Sequence, residues 1–82
     1  MNYDGVISIH PDVCGGTPCF PGTRVFISIL FDYLRAGDSL EDFLEGFPSV
    51  SRAQALAVLA LASDYFLAAL PVPPEPVYAY SA

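Results

Sequence analysis

Residues 14–25, Cys-Gly-Gly-Thr-Pro-Cys-Phe-Pro-Gly-Thr-Arg-Val, gather two thiols, an arginine and a run of turn residues into one short stretch. A phosphate cradle of the P-loop kind needs Gly-x-x-x-x-Gly-Lys followed by Ser or Thr, because the lysine meets the β- and γ-phosphates. Gly16 to Gly22 is one residue too long for that spacing, and Thr23-Arg24 stands where the lysine and hydroxyl belong. A zinc knuckle needs four nitrogen or sulfur ligands. Cys14 and Cys19 have only His10, the single histidine, to join them. His10 stands beside a proline, and no serine or cysteine is evidently paired with it as nucleophile to base. No catalytic, cofactor-binding or metal-ligating residue is therefore assigned, and the chain is not expected to be an enzyme. The glycines and prolines read as a bent piece of scaffold, since glycine reaches φ values closed to other residues and proline fixes its own. Arg24, just past the corner, either holds the turn through its guanidinium fork or meets a ligand.

The 82 residues make one domain, and a domain of that size buries only about 60% of the surface its unfolded form exposes. Hydrophobic residues are 54% of the total and charged ones 15%, too few polar groups to cover the outside of a monomer. Association with a second copy or a partner is expected. Nine acidic residues against Arg24, Arg35 and Arg52, with no lysine, give a net charge of −6. That sign opposes a whole-protein grip on nucleic acid phosphates and suits a basic protein partner. The first ten residues lack a basic stretch followed by a long apolar core, so no secretory signal is read and a cytoplasmic, reducing location is expected, with the two cysteines as thiols.

The elements follow from spacing. Gly5–Ile9 is β-prone and ends at Pro11; Thr23–Ile27 is β-prone again, so the two with the corner between them predict a small ribbon. From Phe26 the period changes: Ile27, Leu30, Phe31 and Leu34 fall at helical spacing, and Gly37 occupies a left-handed C-cap position. Asp38 or Ser39 caps a short second helix with Leu40, Phe43 and Leu44 on its buried side. Phe47-Pro48 breaks it, and Ser49 or Ser51 caps a third, from Arg52 to Leu70, apolar nearly all round. Its apolar run, Ala53–Ala62, broken only by Gln54, falls well short of the roughly 20 residues needed to cross a bilayer. The predicted fold is mainly α, a short N-terminal β-ribbon followed by a three-helix helix-turn-helix-like unit, dimeric. Residues 1–70 form the domain, and residues 71–82, with prolines at 71, 73, 74 and 76, form an extended tail.

Three surfaces are candidates for binding. If the second and third helices act as a helix-turn-helix, Ser51, Arg52 and Gln54, with Arg24, are the DNA-contacting residues, although Asp38, Glu41, Asp42 and Glu45 on the helix before them repel a phosphate backbone. Leu56, Leu59, Ser63 and Phe66 on the third helix are the expected dimer interface. Val72, Val77, Tyr78 and Tyr80 form a segment able to lie along a basic cleft or sheet edge of a partner.

The stretch "CGGTPCFPGTRV", the segment "LRAGDSLEDFLEGFPSVS" and the alanine-rich last helix together resemble the family labelled domain of unknown function 433, over Ile7 to about Tyr65. Its signature runs Cys-Gly-Gly-Lys-Pro, then Gly-Thr-Arg-Ile/Val, then Gly-x-Ser-x-Glu and Tyr-Pro-x-Leu. Members look like VapB-type antitoxins. The resemblance implies a β-ribbon with a helix-turn-helix-like unit, dimeric, acting as the antitoxin of a type II toxin–antitoxin pair against a PIN-like ribonuclease toxin, with repression of its own operator DNA as the alternative role. Thr17 replaces the family's common lysine and Pro21 its common arginine, which removes two cations from the ribbon.

Overall fold

In the computed structural model, residue 3 and residues 5–71 are described. Three helices carry the architecture: α1 (Ile27–Arg35), α2 (Leu40–Gly46) and α3 (Arg52–Ala69), preceded by a 3-10 turn at Cys14–Gly16. The chain is mainly helical, as the periodicity predicts, and α3 ends one residue before the expected Leu70. Leu70 precedes Pro71 and has left the helix at φ −90°, ψ 149°, the extended region that a following proline imposes.

The expected ribbon is reduced to three isolated antiparallel bridges, Ser8 to Cys19, Cys19 to Phe26 and His10 to Val13. Ser8 and Cys19 exchange both backbone hydrogen bonds, at 2.8 and 2.9 Å, and the N–H of Phe20 donates to the carbonyl of Val25 at 3.0 Å. The pairing stops there for a covalent reason. Pro18 and Pro21 flank Cys19-Phe20 and have no N–H to donate, so the middle segment offers only two donors to a ladder.

Turns and caps with local causes fix the corners of the chain. Phe20-Pro21-Gly22-Thr23 is a tight turn in which Thr23 N–H donates to the Phe20 carbonyl at 3.1 Å. Proline at its second position and Gly22 at φ +76° at its third are the residues a type II turn requires. At the end of α1, Gly37 lies at φ +90°. Its N–H donates to Leu34, and that of Asp38 to Tyr33, the paired bonds of a Schellman motif that satisfy otherwise orphaned carbonyls. Ser39 caps α2 reciprocally with Asp42, and Ser51 caps α3 reciprocally with Gln54. Asp38 and Ser49, the other capping candidates, lie outside these boxes.

The core is Phe20, Val25, Ile27, Leu30, Phe43, Val50, Ala55 and Val58. Phe43 is fully buried, with its ring 5.8 Å from Phe20, 5.7 Å from Tyr33 and 5.3 Å from Phe47. These separations lie within the favourable range for aromatic pairs. The aromatic cluster thus fastens the corner, α1 and α2 together, while α3 adds Ala55 and Val58 from its first half.

Candidate functional site

The first turn of α3 is occupied by its own chain. Ser51 Oγ accepts from the N–H of Gln54 at 3.1 Å, and Gln54 Oε1 accepts from the N–H of Ser51 at 2.9 Å. The remaining end of Gln54, Nε2, donates to the carbonyl of Pro21 at 3.0 Å. Arg52 is paired with the carboxylate of Glu41, and that hydrogen bond, ahead of the plain charge attraction, holds Glu41 below its ordinary pKa and Arg52 above its own. Ser51, Arg52 and Gln54, expected to meet DNA, are therefore together at one helix start but engaged in fixing that helix to α2 and the corner.

Arg24 lies apart from them. It is exposed at a shallow notch beside Ser8, Val13 and Thr23, and among the described residues no ion pair includes it. The turn it was expected to hold is held by Thr23. That hydroxyl donates to the Phe20 carbonyl at 2.8 Å and accepts from the N–H of Val25 at 3.1 Å. A threonine bonding its neighbouring backbone is a local turn device readable from sequence.

The thiols and the histidine do not converge into a site. Cys19 is fully buried and Cys14 partly so, both as free thiols. Burial pushes the Cys19 thiol above its ordinary pKa, Cys14 raising it further and Arg24 opposing. His10 is exposed, its Nδ1 accepting from the N–H of Asp12 at 3.2 Å. Among the described residues, no group of three or more His, Cys, Asp and Glu side chains could hold a metal ion.

What the fold does build is an apolar surface. A groove of about 150 Å³ opens between the N-terminal segment, α1 and α3, with Ile7, Ile27, Phe31, Val58, Ala62 and Tyr65 among its walls. It continues past Thr17 and Ser28 along the same side of α1. Beyond it, every residue of α3 from Ser63 onward is exposed, including Phe66 at 64% and Leu67 at 57%. Of the expected dimer residues, Leu56, Ser63 and Phe66 are exposed, whereas Leu59 is half-buried against the core. Val72, Val77, Tyr78 and Tyr80 lie outside the described residues. Sequence reasoning missed Ile7, Phe31 and Tyr65 as groove walls. Tyr65 carried a signal, since Ala55, Val58, Ala62 and Tyr65 follow one another at three- and four-residue steps along one helix face. No helix among the described residues is long and apolar enough to cross a membrane.

The family described as "Protein of unknown function (DUF433)" matches residues 7–62, a span that runs from the groove's Ile7 through the corner and three helix starts to Ala62. Among solved structures, the chain is similar to a DUF433 member protein from Anabaena variabilis ATCC 29413, with a TM-score of 0.65 and 23% sequence identity. The likeness covers 79% of this chain and 64% of that one, so the chain spans less than two thirds of that protein's length, and at this identity it bears on the fold alone. No curated protein matches the chain.

Proposed function

This chain belongs to the DUF433 family, and from that premise we propose that it is a homodimeric, antitoxin-like protein of a type II toxin–antitoxin pair that neutralises a PIN-like ribonuclease by direct contact. The observation that carries the reading is the large apolar surface of groove and α3 on a chain of net charge −6. A ribonuclease must present positive charge where it holds RNA phosphates. An acidic chain with exposed Leu67 and Leu70 offers it both electrostatic steering and apolar anchors. Val72, Val77, Tyr78 and Tyr80 are proposed as a further contact to the toxin.

The test is a titration with this chain of the product of the adjacent gene, assayed as a ribonuclease. Cleavage of a single-stranded RNA is expected to fall to background at a stoichiometric ratio of the two proteins, with a stable complex in sedimentation. Undiminished cleavage in the presence of excess chain overturns the proposal.

Operator binding is the second reading, supported by the α2–turn–α3 arrangement with a well-capped helix start. The side chains it would use are committed elsewhere, Arg52 to Glu41 and Gln54 to Pro21, which leaves Arg24 as the cation without an ion pair among the described residues. Binding to DNA from upstream of its own gene that weakens steeply with salt would favour this reading.

A further inference from the structure

We propose that the groove is the seat of a second copy of the chain, in a two-fold antiparallel pairing of α3 that places Phe66 of each copy in the groove of the other. This rests on the homodimer proposed above and assigns its surface, on the groove side of α3 and not on the flank that carries Leu56 and Leu67.

The stripe that builds the core overshoots it. Val58, Ala62 and Phe66 are spaced four residues apart and share one face of α3, yet Val58 is 1% exposed, Ala62 half-buried and Phe66 64% exposed. A stripe of that kind is continued by whatever covers its free end. Symmetry supplies the cover without new chemistry. If Ala62 of each copy meets at the two-fold axis, residues equally distant from it in opposite directions come level. Phe66, about 6 Å along the helix from Ala62, then lies over the level of Val58 in the other copy. The methyl group of Ala62 permits approach at the short end of the 8–10 Å range for packed helices, and antiparallel helices oppose their dipoles.

Charge does not oppose this occupant. Two copies of net charge −6 repel and can meet only where neither brings charge to the contact. Between Ala53 and Ala69 the sole charged residue is Asp64, which at 3.6 residues per turn lies on the side of the helix away from Ala62. The area suffices as well. Tyr3, Ile9, Tyr65 and Phe66 are between 42% and 64% exposed; with the half-buried groove walls they offer on the order of 500 Å² per copy, so a pair buries about the 1,000 Å² that a specific interface needs.

The test uses the full chain. In sedimentation, the wild type is expected to be a dimer at micromolar concentration. Phe66→Asp, which buries an unpaired charge, is expected to raise the dissociation constant about a hundredfold with unchanged helicity, while Leu67→Asp on the other side leaves it unchanged. Under mild oxidation Ala62→Cys is expected to form a covalent dimer, its Cα atoms meeting the 4–7 Å separation a disulfide requires, and Leu56→Cys is not. If Leu56→Cys cross-links and Ala62→Cys does not, or Leu67→Asp dissociates the dimer and Phe66→Asp does not, the groove assignment is overturned while the homodimer stands. If the wild type is monomeric, both fall, as the assignment does if the groove holds residues 72–82 of the same chain.

Discussion

The side-chain amide of Gln54, on the first turn of α3, donates to the backbone carbonyl of Pro21, in the corner 33 residues earlier, at 3.0 Å. The same side chain closes the capping box with Ser51. One residue therefore both starts α3 and aims it at the corner, where Phe20 and Cys19 join the buried core. Gln54→Ala removes a capping partner and a long-range bond, for an expected loss of about 2 kcal/mol. Gln54→Glu retains an acceptor for Ser51 N–H and loses only the donor to Pro21, for about half that loss. Urea unfolding of the three proteins checks the ranking. Wild-type stability in Gln54→Ala would show that the two bonds add nothing.

The pair formed by Arg52 and Glu41 predicts a pH dependence with a definite sign. Glu41 titrates below its ordinary value because Arg52 hydrogen-bonds its carboxylate. A carboxylate with a folded pKa below the unfolded one contributes stability that is complete above the unfolded pKa, about 4.3 for glutamate, and is lost as pH falls through the folded value. Both side chains are more than half exposed, so salt screens the pair. Thermal unfolding of wild type and Arg52→Gln is expected to differ at neutral pH in low salt. The difference should shrink below about pH 4 and in high salt. A gap that persists in acid would assign the role of Arg52 to packing of its aliphatic stem.

Helices were legible in the sequence where the signals were local. Ser39 with Asp42, Ser51 with Gln54, and Gly37 after a periodic stretch each act within a few residues of themselves, so their roles survive folding unchanged. Ser49 and Ser51 were equal capping candidates from spacing. The turn at Phe47–Val50, closed by the N–H of Val50 on the Phe47 carbonyl, places Ser51 at the helix start. The ribbon is shorter than its signals: β-propensity marks residues 5–9 and 23–27, but Pro18 and Pro21 withhold the donors of the segment between. Least legible was the groove. Its walls come from Ile7, Phe31 and Tyr65, dozens of residues apart, and which side of a nearly all-apolar α3 meets them is set by tertiary contacts, the burial of Ala55 and Val58 and the bond from Gln54 to Pro21. A helix apolar all round reports that it has more than one partner without saying which face each takes.

The two thiols are expected to differ in reactivity. Cys19 is fully buried, with burial raising its pKa, while Cys14 is partly exposed. The nucleophile toward alkylating reagents is the thiolate. Native protein treated with iodoacetamide at neutral pH should therefore be modified at Cys14 first, with Cys19 reacting only when the chain opens. Peptide mass mapping against time reads both sites. Equal rates in the native state would mean that the segment from Pro18 to Phe20 opens far more readily than its bridges to Ser8 and Phe26 allow.

Phe43 is the residue on which the small core depends most. It is fully buried and is the one ring in contact with all three of Phe20, Tyr33 and Phe47, so it links the corner, α1 and the α2–α3 turn. Truncation of a buried phenylalanine to alanine costs about 3–5 kcal/mol, transfer and cavity together. A domain of 82 residues has on the order of 4–12 kcal/mol in total at typical per-residue stability. Phe43→Ala is accordingly expected to lose cooperative unfolding or to melt far below the wild type, whereas Phe43→Leu, which keeps most of the volume, costs about 1.5 kcal/mol. Near-ultraviolet circular dichroism separates the two outcomes, because the aromatic signal reports fixed packing of Tyr33 against Phe43. A Phe43→Ala protein with wild-type melting would place the stabilising contacts outside this cluster.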